Sequence, residues 1–240
     1  MSAAKRLATA ISVCLVLALL LSLGTWQVQR LHWKEALLAQ IAERREADPV
    51  ALSVVADKQG AGTDEEYARV RIEGVFDHSR ERHFFATHQG RSGFYIYTPM
   101  MLAGGKTLFV NRGFVPYEMK SAETRKAGQV EGRVALTGYF RNRLSKKPSW
   151  LVPDNDLAKN IFYWKDLDAM VSSTGFDPQN VLPFFVDVDD AVKNPGGIPE
   201  GGVTQFELSN NHLQYAVTWY GLAFALVLVT GSLWWKGRRR

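Results

Sequence analysis

A histidine, two amides and several aromatic rings open an otherwise apolar run near the end of this 240-residue chain. The stretch reads NNHLQYAVTWYGLAF, from Asn210 to Phe224. If a helix starts near His212, then His212, Tyr215, Trp219 and Ala223 stand at i, i+3, i+7 and i+11, on one stripe. Asn211, Gln214 and Thr218 form a polar edge beside it. Ionisable groups in or at the mouth of a membrane helix often mark function. A neutral imidazole can ligate haem iron axially. Flat rings and small apolar residues can cover a porphyrin, while amides and cations can meet its propionates. In the competing reading, the same residues form an interfacial belt at headgroup level. The Trp26 indole and Arg30, on the first apolar segment, could lie at the same depth.

Other constellations are weaker. His78, His83 and His88 are spaced five apart, but residues five apart face opposite sides of a strand and diverge on a helix, which argues against a metal site. The sequence has no Gly-rich phosphate loop after a strand and no evident Ser, His and acid arrangement, so no catalytic residue is expected. VNRGFVP reads as a strand end, with Val110 last, Gly113 at positive φ and Pro116 stopping the pairing. Arg112 would then be a turn residue, with binding of a partner carboxylate as the alternative. RNRLSKKPSW holds Arg141, Arg143, Lys146 and Lys147, and reads as a solvated hairpin tip or a site that docks headgroups or an acidic partner.

The elements that position these residues follow from hydropathy. Leu7–Trp26 and Leu213–Trp235 contain no charge, and each is long enough to cross a hydrocarbon core of about 30 Å. The first run is long for a signal peptide and lacks a small-x-small cleavage site, which favours an uncleaved anchor. The net charge of +5 is concentrated outside the two runs, at Lys5, Arg6, Lys236, Arg238, Arg239 and Arg240. What remains is almost neutral, which argues against nucleic acid. Basic residues outside both runs place both termini in the cytoplasm and the middle across the membrane. The one cysteine, Cys14, lies inside the first run. The exposed domain therefore has neither disulfide nor thiolate site and stands on its core alone.

Beyond Trp26 the helical pattern continues as an amphipathic extension, with Leu31, Leu37, Leu38 and Ile41 on its apolar side and Pro49 ending it. YARVRIEGVF, RHFFATH, GFYIYTPMML, KTLFVNRGFVP, RVALTGYFRN and NVLPFFVDVDD are strand candidates. AGGK at 103–106 reads as a tight hairpin turn. WKDLDAMVSSTG reads as a helix stopped by Gly175. The predicted fold is a membrane protein of α+β class. Two transmembrane helices flank an extracytoplasmic antiparallel β-barrel or sandwich with a helical insertion. The predicted segments are helix 7–26, extension 27–48, β-rich domain 49–202, linker 203–211, helix 212–235 and basic tail 236–240. KNPGGIPEGG, residues 193–202, also reads as a linker.

Five motifs in order, LGTWQVQRLHWK (23–34), YARVRIEGVF, GFYIYTP, LFVNRGFVP and NNHLQYAVTWYGLAF, resemble the Surfeit locus protein 1 family, the assembly factors of cytochrome c oxidase. Phe114 stands where that family more often has Trp. The resemblance implies a non-enzymatic chaperone that binds haem a and aids its insertion into oxidase subunit I. It makes His212 the haem-linked histidine, and Gly24 and Trp26 the glycine and tryptophan of the first family motif. The expected site is then His212 as axial ligand, with Tyr215, Trp219, Trp26 and Arg30 around the macrocycle. The implied partners are oxidase subunit I, haem a synthase and the lipid bilayer. The absence of a presequence points to a bacterial inner membrane, with the central domain periplasmic. A haem-independent scaffold that stabilises an early oxidase intermediate is the alternative. A two-helix regulator of surface polymer length shares the topology, but its outer domain would be mainly helical.

Overall fold

The computed structural model describes residues 3–206 and 209–238. Glu207 and Leu208 of the predicted linker, and Arg239 and Arg240 of the basic tail, lie outside the described residues. The chain forms two compact units: the two terminal helices, and a β-rich body over residues 42–205.

The first helix, α1 (Ala3–Glu46), is unbroken from the apolar run through the amphipathic extension. The last, α4 (His212–Arg238), begins at the histidine. Leu7–Glu46 and His212–Gly237 are each long and apolar enough to cross a membrane. Within this pair, Gln27 meets His212 and Gly24 approaches Tyr220, so the helices run antiparallel. The less exposed positions of α4 are His212, Ala216, Trp219, Ala223, Leu226 and Thr230. They alternate in steps of four and three. On α1, Val13, Leu17, Leu20, Gly24 and Gln27 follow the same rhythm. This rhythm marks the seam of the helix pair, and small residues on it let the backbones approach.

The body is built on seven strands: β1 (Val50–Ala51), β2 (Arg69–Phe76), β3 (Arg82–His88), β4 (Arg91–Leu102), β5 (Thr107–Pro116), β6 (Arg133–Asn142) and β7 (Val181–Val188). All six strand candidates from the sequence are strands. β2, β6, β7, β5 and β4 pair in that order, and a further β2–β4 pairing closes the circuit. The result is a five-stranded Greek-key barrel of the OB type. One of its pairings, β5 with β7, is parallel. The long β6–β7 connection makes that crossover possible.

The pleat sorts the side chains. Val70, Ile72, Phe76, Leu108, Val110, Phe140, Phe184 and Val186 share the inner core. Phe109 and Phe185 point the other way and pack with Leu167, Met170 and Val171 of the inserted helix, α3 (Leu167–Thr174). Alternation along the strands gives one chain two apolar layers. The Asp166 side chain caps α3 by accepting from the Ala169 N–H, and Gly175 ends it in the left-handed region. The predicted turn at 103–106 is present, with the Leu102 N–H donating to the Lys106 carbonyl. A short helix, α2 (Leu52–Gly60), and β1 precede the barrel and were not expected.

Two sequence expectations change here. The stretch 193–202 is not a free linker but packs on the barrel. Phe114 and Glu200 exchange backbone hydrogen bonds, and the Glu200 side chain pairs with Arg91. The strand also does not end at Val110, since β5 runs on to Pro116. Gly113 lies at φ +125°, and its missing Cβ leaves the space occupied by the Glu200 carbonyl. That close approach is why a glycine stands mid-strand.

Candidate functional site

At the mouth of the helix pair, His212 Nδ1 lies 2.7 Å from Gln27 Oε1. An amide oxygen can only accept, so with this orientation the ring proton sits on Nδ1 and Nε2 keeps its lone pair. Gln27 is buried on the seam. A buried acceptor that fixes one ring nitrogen and leaves the other as a donor atom is the arrangement metal-ligating histidines use. The chemistry present at His212 therefore fits an axial ligand.

One turn along α1 from Gln27 and two along α4 from His212, Gly24 meets Tyr220. A Cβ on Gly24 would stand 2.8 Å from the Tyr220 ring, and the Tyr220 hydroxyl is 3.1 Å from Thr25 Oγ1. Ala216 and Ala223 are buried beside these groups. The aromatic residues named from the sequence are less gathered. Trp219 lies on the seam with His212. Tyr215 is 54% exposed and Trp26 51% exposed, so both face away from it. The i+3 position swings off this stripe, and the i+4 position, Ala216, takes its place. The Arg30 guanidinium stacks 4.1 Å from the centroid of Trp33 rather than closing on His212. Gln27, Thr25 and Tyr220 were missed. A polar residue at a seam position, one step of three from Gly24, was the signal that could have found Gln27.

The barrel holds a second dense site. Glu81 is buried against Arg125, which clamps both carboxylate oxygens. Arg112 reaches the same carboxylate at 3.9 Å and also donates to Asn194 at 2.7 Å and to the Gly128 carbonyl. Arg112 is thus not a turn residue but a buried charge that ties β5 to the segment 193–202. His78 and His83 both approach Glu81, at 3.6 and 4.0 Å. His78 stands in a turn before β3, so strand alternation does not separate the two. His88 instead packs its ring on Phe114.

Burial works to raise the Glu81 pKa, but hydrogen bonds with His78 and Arg125 and the Arg125 charge hold it at about 2. Burial pushes His83 down to about 4, against the pull of Glu81. Both His83 ring nitrogens are buried, with no hydrogen-bond partner among the described residues. Burial also lowers Arg112 to about 10, with Glu81 opposing. This cluster is structural ionic packing inside a fold that has no disulfide among the described residues.

The predicted solvated tip is also more structured than expected. Arg141 lies at the end of β6, where it donates to Glu66 at 2.8 Å and Asp187 at 3.0 Å and lies over the Tyr67 ring. Arg143 pairs with Asp168, and Lys147 with Asp154, each at 2.6 Å.

The comparisons with known proteins cover both units. The SURF1 family model matches residues 14–224. Surfeit locus protein 1 of Rattus norvegicus is 41% identical over 230 residues, spanning 89% of this chain and 70% of its own length. The Homo sapiens protein of that name is 39% identical over 231 residues, spanning 89% and 72%. The Takifugu rubripes protein is 36% identical over 237 residues, spanning 92% of each.

Proposed function

This chain belongs to the SURF1 family of cytochrome c oxidase assembly factors, and from that premise we propose that it holds haem a as cargo and aids its delivery to oxidase subunit I. In this reading it sits in an inner membrane, crosses it twice, keeps both termini in the cytoplasm and performs no catalysis of its own. Haem a synthase supplies the cargo, and the β-barrel docks on the partner proteins.

The observation that carries the haem part is the His212–Gln27 pair. Gln27 accepts a hydrogen bond from Nδ1–H, so Nε2 is the nitrogen that would be offered to iron. Gly24 and Tyr220 close the seam, so His212 would hold the group from outside the pair, and the exposed rings of Tyr215 and Trp26 would be free to cover it. Arg30 is on the same stretch of α1 and can meet a propionate after leaving Trp33.

The test is made in cells that lack this protein and are complemented by wild type or by His212→Ala. Wild type restores haem a in subunit I. His212→Ala leaves the variant in the membrane and subunit I poor in haem. The closed Gly24–Tyr220 contact favours the second reading, in which the chain is a scaffold for an early oxidase intermediate without carrying haem. Normal oxidase activity with His212→Ala, together with recovery of subunit I in a pull-down, selects that reading.

A further inference from the structure

The two most exposed large apolar side chains among the described residues are neighbours in the β6–β7 connection. Trp150 is 86% exposed and Leu151 71%, beyond Leu15 of α1 at 67%. Pro148 and Pro153 on either side are exposed as well. A folded body normally covers most such area, and a bare contiguous patch marks a surface that something else covers. A built turn holds the pair out. The Leu151 N–H donates to Ser149 Oγ at 3.2 Å, and the Val152 N–H donates to the Ser149 carbonyl at 3.2 Å. Trp150 and Leu151 therefore take the two central positions of a β-turn. Lys147 pairs with Asp154 at 2.6 Å and closes the base of the turn. The stretch between them, PSWLVP, carries no charge.

A bilayer fits this surface better than a protein does. A tryptophan buries about 150–250 Å², and a standard protein interface takes roughly 800 Å² from each partner. One indole and one leucine at the apex of a turn fall well short of that. They are enough to enter a headgroup layer, where an indole keeps its ring in the apolar zone and its N–H wet. A bilayer is also the apolar phase always within reach. The body is joined through residue 42 to α1 and through residue 205 towards α4, and such links give a high effective concentration. The nearby cations do not make the choice, because Arg143 is matched by Asp168 and Lys147 by Asp154.

We propose that the 148–153 turn is a third membrane contact of this chain, with Trp150 and Leu151 entering the headgroup layer of the bilayer that α1 and α4 cross. The inference rests on the double crossing proposed above. Entry is driven by apolar area and needs no anionic lipid. The contact would hold the barrel at the membrane surface.

The test uses the full-length protein in phosphatidylcholine nanodiscs, with Cys14→Ser removing the one native cysteine. An NBD fluorophore is placed on Leu151→Cys or, as a reference, on Leu21→Cys, an exposed position of α1 inside the apolar run. Lipid carrying a nitroxide near the headgroup end of its acyl chain is the quencher. Both labels are expected to be quenched, that at 151 at least half as strongly as that at 21. Adding Trp150→Ser, which removes an exposed side chain and leaves the core intact, is expected to shift entry about tenfold towards water. Quenching at 151 then falls while quenching at 21 does not. Anionic phosphatidylglycerol is expected to change the quenching at 151 less than twofold. Quenching at 21 but not at 151 overturns the anchor and leaves the crossing standing. In that case, a pull-down of subunit I that Trp150→Ser loses assigns the turn to a protein. No quenching at either position overturns the crossing, and the anchor with it. Undiminished quenching at 151 after Trp150→Ser, or quenching that appears only with anionic lipid, also overturns the apolar anchor.

Discussion

At the residue scale, His212 and Gln27 act as a unit. Replacing Gln27 with Leu removes the acceptor that fixes the ring. Loss of such a partner typically costs about 10–100-fold in metal affinity, so Gln27→Leu should retain haem weakly where His212→Ala retains none. Haem content per purified protein, after equal washing, measures the difference. Gly24 makes a separate prediction. A leucine there collides with the Tyr220 ring, so Gly24→Leu should lower the unfolding temperature of the protein in nanodiscs. Adding Tyr220→Ala should recover part of the loss, the coupling expected of residues in contact. Equal and additive losses would place the two residues in separate surroundings. His212 was legible from residue type and its place at the start of an apolar run. Gln27 was not, because its partner is 185 positions away and only the pairing of helices brings them together.

At the scale of elements, the buried Glu81 cluster ties the turn before β3 to β5 and to the 193–202 segment. Glu81→Gln leaves Arg125 and Arg112 without their carboxylate, and breaking a buried pair this way costs about 3–5 kcal/mol. Chemical denaturation followed by tryptophan fluorescence measures it. A loss below about 1 kcal/mol would show the arginines to be solvated, as surface pairs are.

The same cluster sets an acid response. The folded chain resists protonating His83, whose pKa is about 4 against an ordinary 6.5. Stability therefore falls as pH drops from 6.5 towards 4. It falls again from 4.5 towards 2, as the Glu81 carboxylate is lost. His83→Phe should remove the first of these losses and keep the second, because its ring nitrogens have no hydrogen bond to forfeit. An acid-unfolding curve unchanged above pH 4.5 in that variant would contradict the assignment.

The strands were legible because runs such as RHFFATH and NVLPFFVDVDD are aromatic or β-branched and are bounded by turn residues. α2 was not, since Ala51 gives it no side-chain cap and nine residues carry little periodic signal. The role of Arg112 was hidden for a different reason. Glu81, Gly128 and Asn194 reach it from three separate stretches of chain, and only the folded domain brings them together.

At the scale of the whole molecule, one apolar helix precedes the β-barrel in the chain and another follows it, and the family match runs from residue 14 to residue 224. The antiparallel run of α1 and α4 puts the start of one and the end of the other on the same side of the pair. Reporter fusions at the two termini should therefore report the same compartment, the cytoplasm, and a fusion within the β6–β7 connection should report the opposite one. A split result for the termini would rule out the double crossing. A mainly helical outer domain, as in regulators of polymer length, is excluded by the seven-stranded sheet.

The absorption spectrum of the full-length protein, purified after co-expression with the enzymes of haem a synthesis, tests the central claim most directly. Wild type should carry a Soret band and an α band of haem a, and His212→Ala, recovered in equal amount from the membrane, should carry neither. A band of equal height and position in the two proteins would contradict His212 as the ligand, and no band in wild type would contradict haem as the cargo.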